Sequence, residues 1–511
     1  MRKSSLKRML DSVENGAAIE GTRHKAPSSI RRSLEDAPTR PDETAKVTLP
    51  GKDIEDITDI ASVSRWIQST AVVMRENREL RLRFKDEPDR FLQSELDLDE
   101  SIKKLHGLAV EPELYGSFVN SGGCRLVISL LNHVNEDISV EVLRVLVDLT
   151  DETVMDSVTD PEGFIGGFRQ CAIVQVLSST LTRFIDYSFE AVETVLQAVS
   201  NFVEIQPDLL LDFANSEMVV LLAKVIVKSE SDWIYSRSLA VELLVSSLES
   251  LKSSKFPDLI TAEVLESLLR ALSLFCKVDP RDSEESEFLG NLVQVLCLAL
   301  ANEGPRETMA ELQGIELFNK FLLSNDSKKQ RIGLMLVTRA ICDHTRNCHK
   351  FIDNFGLKPI GPLLESPRSE VKEHAVSVFQ LLLKNSTGIH QTRTIHKLIE
   401  HNFAKLQSIL NTVAVLTPAV GQDSGDTDFS RRWDEGLAVL QQASIVVLRL
   451  FNIGNVTIRR YIVHQMERLE VDKQLFITVL LEYIQLLNSE KAIEEITELQ
   501  EFFITFKRKA C

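Results

Sequence analysis

From Phe189 to Val203, apolar residues recur at three- and four-residue steps, and Glu193, Gln197, Asn201 and Glu204 fall on the opposite edge. That spacing predicts a long amphipathic helix over residues 187–204. The same pattern restarts at Asp137 (DISVEVLRVLVDLTDE), Ser231 (SDWIYSRSLAVELLVSSLES), Glu284 (EESEFLGNLVQVLCLALANE), Asp326 (DSKKQRIGLMLVTRAICDH) and Ser369 (SEVKEHAVSVFQLLLKNS). One or two shorter apolar segments precede each copy. The starts at 137, 187, 231, 284, 326 and 369 lie 50, 44, 53, 42 and 43 residues apart. Periods of about 40–47 residues with two or three helices per unit mark armadillo or HEAT arrays. A helix of this kind cannot bury its apolar face alone, so neighbouring units must stack into one core. The expected fold is all-α: an armadillo/HEAT-type right-handed superhelical solenoid with helical caps and a disordered N-terminal tail.

Along the chain, residues 1–60 are rich in Ser, Thr, Pro and charge without sustained periodicity. They lack the apolar surface that offsets ordering entropy, which predicts a disordered basic tail. Two basic clusters, RKSSLKR (2–8) and RHKAPSSIRR (23–32), have the composition of a nuclear import signal or of a solvated tail. Residues 61–110 read as an N-terminal helical cap, with a helix over 60–74 that places Trp66 on its apolar side. Asp97 followed by Glu100 predicts a helix start running through Leu108, with Pro112 opening the next helix. Armadillo-type repeats are expected over 111–411, broken at Ser121-Gly122-Gly123, Gly166-Gly167, Pro207, Pro257, Pro280 and Gly304-Pro305. A longer helix over 389–409 and a connecting loop over 412–428 follow. A C-terminal helical repeat or cap over 429–511 opens with a long helix at 431–452 and ends in three further helices and Lys507–Lys509.

Charge narrows the function. The chain carries 58 Lys and Arg against 75 Asp and Glu, a net −17. The first fifty residues hold 10 basic against 7 acidic residues, so the body stands at −20. An acidic body repels phosphate backbones and attracts basic polypeptide, which argues against direct nucleic-acid binding. No apolar run approaches the ~18 residues of a membrane span, so no membrane partner is expected. The seven cysteines are odd in number and mostly lie in apolar helical segments, as reduced core thiols do. That usage points to a reducing compartment.

No P-loop, dinucleotide-binding, zinc-protease or nucleophile-elbow pattern is present, so no catalytic residue and no cofactor is expected. Gly163-Phe-Ile-Gly-Gly reads as a turn between helices. Cys342, His344, Cys348 and His349 crowd eight residues without C-x-x-C or H-x-x-x-H spacing, and a helix would splay them, so no metal site is expected. Trp66, Trp233 and Trp433 are followed four residues on by Thr70, Arg237 and Leu437, so the Trp/Asn ladder of an importin-α-type array is absent.

The remaining candidate is the polar edge of the long helices. It holds Asp137, Glu141, Arg144 and Asp148, then Glu193, Gln197, Asn201 and Glu204, then Glu242, Ser246 and Glu249. Glu284, Glu287, Asn291 and Gln294 follow, and later Glu370, Glu373, Ser377 and Gln380. In armadillo arrays the last helix of each unit lines the concave face, so these residues form a candidate groove. There Glu141, Asp148, Glu193, Glu204, Glu242, Glu249 and Glu287 would pair with Lys and Arg of an extended peptide. Gln197, Asn201 and Asn291 would bond its backbone. Lys328, Arg331 and Arg339 interrupt the trend in one unit. The bland alternative is a solvated helix face.

Three strings carry a resemblance: ENRELRLRFKDEPDRFLQSELDLDESIKKLHGLAVEPELYGSFV (76–119), NCHKFIDNFGLKPIGPLLESPR (347–368) and DFSRRWDEGLAVLQQ (428–442). In content and order they resemble the β-catenin-like protein 1 family. The resemblance covers residues 76–150 and 346–450 well, and only the helical pattern between them. It implies an armadillo scaffold of the spliceosome-associated Nineteen complex. Such a scaffold resides in the nucleus and docks basic nuclear-localisation-type segments of splicing factors in pre-mRNA splicing. The chain departs from the family in its tail and in the connection at 411–428, which is shorter and less charged. The competing reading is a cytoplasmic armadillo adaptor or transport receptor with a non-splicing partner. A homodimer stays open.

Overall fold

The computed structural model describes residues 56–486 apart from 215–216, 229–232, 251–258, 367 and 421–428, together with positions 493, 496–497, 499–500 and 504. Every regular element among the described residues is a helix, without a strand among them. They fall into two compact units that divide after Ser250.

In the first unit the repeated element is a triplet of helices. Tyr115–Asn120, Gly123–Leu131 and Glu136–Leu149 make one triplet; Pro161–Gln170, Ile173–Phe184 and Phe189–Ile205 make the next. Leu209–Ala214, Met218–Ile226 and Ile234–Ser250 make a third. The long third helices pack on one another in sequence, Glu136–Leu149 on Phe189–Ile205 and that on Ile234–Ser250. In the second unit Ser283–Ala299, Ser327–Ile341, Ser369–Asn385 and Leu437–Ile453 stack in the same way. These are armadillo-type repeats, and each third helix starts within three residues of where the apolar period restarts.

Local chemistry sets those starts. Asn135 accepts a hydrogen bond from Asp137 N, Ser188 from Ala191 N, Asp282 from Glu285 N and Asp326 from Lys328 N. Each such cap satisfies one of the donors a helix N-terminus leaves open, worth about 1 kcal/mol. The corner between first and second helices is also repeated. Gly122, Ala172, Gln313 and Phe355 all take left-handed backbone angles immediately before or one residue before the second helix. At three of these corners a glycine follows (Gly123, Gly314, Gly356), and a Cβ there would overlap Phe118, Met309 and Phe351 respectively, five residues back in the first helix. The sharp corner lets the first helix lie directly against the second.

Aromatic rings thread the core of the first unit. Trp66, 1% exposed, lies 6.3 Å from Phe118; Phe118 lies 6.4 Å from Phe164, Phe164 5.2 Å from Phe168, and Phe168 5.7 Å from Phe202. The Trp66 indole donates to Ser101 O at 2.9 Å, so its one polar atom is satisfied in the core.

The structure corrects several sequence expectations. Described backbone begins before residue 60: Ile57 is buried, and Asp59 and Ser62 form a reciprocal capping box. The helix they open runs Ile60–Arg83, well past Met74. Asp97 starts no helix, because Leu92–Lys104 already contains it and carries Leu98 and Ile102 into the core. This helix packs on Glu136–Leu149 and so takes the place of a preceding third helix. Gly163–Gly167 is no turn: Asp160 caps the Pro161–Gln170 helix that includes it. Residues 412–420 are helical, ending the Gly388–Val420 element, and only 421–428 of the expected loop remain, outside the described residues.

That element turns a corner at Glu400–Phe403, so neither arm reaches the ~20 residues of a membrane span. The long helix expected over 431–452 is broken at Gly436 (φ +106) into Phe429–Asp434 and Leu437–Ile453. Because Leu437–Ile453 packs on Ser369–Asn385, the stack continues past residue 411. The tail 1–55, the break at Pro257, the connection 421–428 and Lys507–Lys509 lie outside the described residues, as does most of the last expected helix.

Candidate peptide-docking face

Stacking of the third helices in the first unit brings their polar edges into file. On Glu136–Leu149 the edge is Asp137, Glu141, Arg144 and Asp148. On Phe189–Ile205 it is Glu190, Glu193, Thr194, Gln197, Asn201 and Glu204. On Ile234–Ser250 it is Tyr235, Glu242, Ser246 and Glu249, which share one face by helical spacing.

Within that edge the candidates take different parts. Glu141 is buried: Arg144 Nη1 donates to it at 3.0 Å and His106 Nε2 lies 3.5 Å away. Arg144 also reaches across to Glu190 on the next helix at 2.5 Å. Asp148 is exposed and meets His106 Nδ1 at 2.6 Å. Asn201 is only 8% exposed; its Nδ2 donates to Val147 O and to Thr150 Oγ1, both at 3.2 Å. It ties its helix to the C-terminal end of the preceding third helix. Gln197 donates to Asn201 Oδ1 at 2.9 Å and accepts from the Tyr235 hydroxyl at 3.0 Å. Glu204, Glu242 and Glu249 are exposed.

Glu193 differs from all of these. It is half-buried, with no hydrogen-bond or ion-pair partner among the described residues, and burial and the neighbouring Glu190 carboxylate raise its pKa. It lines a cavity of about 330 Å³ together with Arg144, Val147, Asp148, Thr194, Gln197 and Tyr235. Tyr235 is 46% exposed there. A half-buried carboxylate beside a partly exposed tyrosine suits a guanidinium or ammonium group, which can pair with the first and stack on the second.

Glu287, exposed, and Asn291, half-buried, belong to the second unit, on Ser283–Ala299. The neighbouring Ser327–Ile341 helix is basic at its edge, with Arg331 pairing Glu370 at 3.2 Å. Glu370 and Glu373 on Ser369–Asn385 repeat the spacing of Glu190 and Glu193, and Glu373 likewise has its pKa raised by burial first and then by Glu370.

His106 and Tyr235 were outside the sequence candidates. Tyr235 was visible as an exposed-side aromatic in the first turn of a long helix. His106 gave no signal, because its contact with Asp148 spans 42 positions.

Three of the four crowded Cys and His side chains near 345 are engaged elsewhere. His344 caps the Thr345–Asp353 helix and meets Glu307 at 2.8 Å, Cys348 donates to Ile341 O, and His349 stacks on His390 at 4.0 Å. Among the described residues no group of three His, Cys, Asp or Glu side chains is placed to hold a metal ion.

A stack of three-helix units with a polar file of third-helix residues defines an armadillo-repeat protein. Comparison with known proteins gives the family. Residues 47–481 match the family model described as "Catenin-beta-like, Arm-motif containing nuclear", and the chain belongs to that family. It is 28% identical over 445 residues to the Beta-catenin-like protein 1 of Homo sapiens, covering 80% of this chain and 78% of the human protein. To the Beta-catenin-like protein 1 homolog of Schizosaccharomyces pombe it is 25% identical, covering 78% and 74%. Among solved structures, a designed armadillo repeat protein aligns with 50% of the chain at 15% identity and a TM-score of 0.37.

Proposed function

We propose that this chain is a non-enzymatic nuclear scaffold that docks basic, nuclear-localisation-type segments of splicing factors within the Nineteen complex, and so serves pre-mRNA splicing. The observation that carries the docking reading is Glu193: a half-buried carboxylate with no partner among the described residues, set beside partly exposed Tyr235 in a cavity between stacked helices. Burying a carboxylate without a counter-charge is costly, and an incoming Lys or Arg would relieve that cost. Asp148, Glu204, Glu242 and Glu249 extend the negative file to either side. The nuclear and splicing assignment rests on the family resemblance.

The test is a fluorescence-anisotropy titration of a labelled Arg/Lys-rich 14-residue peptide into the full chain at low and high salt. Exposed charge pairs are screened beyond ~8–10 Å, so affinity should fall as salt rises. Glu193→Gln and Tyr235→Ala should each weaken binding severalfold, as loss of a partly desolvated contact does. Salt-independent affinity, or indifference to both substitutions, would refute the docking reading. Affinity purification from nuclear extract tests the assignment to splicing; recovery of only cytoplasmic, non-splicing partners would favour the adaptor reading.

A further inference from the structure

We propose that, when no partner is bound, the polar face of the three stacked third helices in the first unit is covered by a segment of the same chain, Arg23–Arg32. The inference rests on the docking reading above and adds its regulation: the protein carries its own competitor.

The first support is where the described chain begins. Ile57 is buried, and a Cβ placed on Gly107 would meet its backbone at 3.7 Å. The residue before Gly107 is His106, which holds Asp148 at 2.6 Å and lies 3.5 Å from Glu141. The described chain therefore begins close to the first rung of the face.

The second support is charge and spacing. Residues 21–34 (GTRHKAPSSIRRSL) contain Arg23, Lys25, Arg31 and Arg32 and no acidic residue. Lys25 and Arg31 lie six positions apart, roughly 20 Å when extended. Packed helices lie about 8–10 Å apart, so the first and third helices of the stack are also roughly 20 Å apart. One basic pair can reach Asp148 on the first helix while the other reaches the polar edge of the third. The stretch between them then crosses Gln197 and Glu193, where Gln197 is placed to bond an extended backbone.

Reach is sufficient. A 23-residue tether, the number of residues between Arg32 and Asp56, can reach up to roughly 75 Å. Tethering at that length gives an effective concentration on the order of 1 mM. A segment with a dissociation constant near ~100 μM would then occupy the face most of the time and weaken a competitor about tenfold.

The experiment uses the full chain and a fluorescein-labelled peptide of residues 21–34 as the probe, read by anisotropy at low salt. Wild type is compared with R23Q/K25Q/R31Q/R32Q and, as a second variant, S28E/S29E, which places negative charge between the basic pairs. Both variants should bind the probe more tightly than wild type, the first by about tenfold, and adding Glu193→Gln should erase the gain. Equal affinity in wild type and both variants overturns the self-covering proposal while leaving the docking reading standing. Absence of salt-sensitive probe binding to any form removes the docking reading itself. A gain that appears only at high protein concentration assigns the covering segment to a second copy and overturns the intramolecular form.

Discussion

Asn201→Ala separates a structural asparagine from a ligand-binding one. The side chain is 8% exposed and spends both amide protons on the preceding third helix, at Val147 O and Thr150 Oγ1. Its carbonyl accepts from Gln197. Removing it does not orphan Val147 O, which Thr150 N still reaches at 3.2 Å, and half-exposed Gln197 can turn to water. The cost is therefore two net hydrogen bonds without an added desolvation penalty, about 2 kcal/mol. Repeat arrays can unfold in parts, so a single global midpoint is a poor readout. Native-state hydrogen exchange of amides in Phe189–Ile205 and Glu136–Leu149 reads the local value instead. A loss of about 2 kcal/mol corresponds to roughly thirtyfold faster exchange there. Unchanged exchange together with lost binding of a basic peptide would show that Asn201 works at the ligand surface and not as a tie between the two helices.

Acid should loosen the corner at Glu400. Burial works to raise this carboxyl's pKa, but hydrogen bonds from Lys397 and Lys405, at 2.6 and 2.7 Å, outweigh it and bring it to about 2. With the folded value below the unfolded one of about 4.3, the contribution is complete above that pH and is lost as pH falls toward 2. The stability gap between wild type and Glu400→Gln, followed by urea denaturation, should shrink between pH 5 and pH 2; a constant gap contradicts it. Gly436→Ala should cost about 1–2 kcal/mol, since φ is +106° and the new Cβ would sit 3.3 Å from Leu416. Gln313→Gly, at a left-handed corner, should gain up to ~1 kcal/mol; native-state hydrogen exchange of Leu437–Ile453 and of Gly314–Leu322 checks the two in turn. Burial pushes the Cys348 and Cys124 thiols up to about 12, so both should resist thiol labelling in the native chain and react once it is unfolded.

Helix identity was legible because the information is local. The apolar period placed six long helices, and Asn135, Ser188, Asp282 and Asp326 stand where caps belong. The misreadings were also local in form. Asp97 and Glu100 have capping spacing, yet the helix begins upstream because burying Leu98 and Ile102 outweighs one cap. Gly163–Gly167 looked like a break, although Asp160-Pro161 before it is a strong start signal.

By itself the sequence determined the repeat, the length of its third helices and the acidic composition of their outer edges, because periodicity and charge are properties of neighbouring residues. Only the tertiary structure decided which edge residues face solvent. Glu141 is closed off by Arg144 and by His106 from another element, Asn201 is spent on Val147 and Thr150, and Glu193 is left half-buried without a partner among the described residues, beside Tyr235. Exposure and pairing depend on what the adjacent repeat places across the gap, some 40–54 residues away along the chain, and no local pattern encodes that.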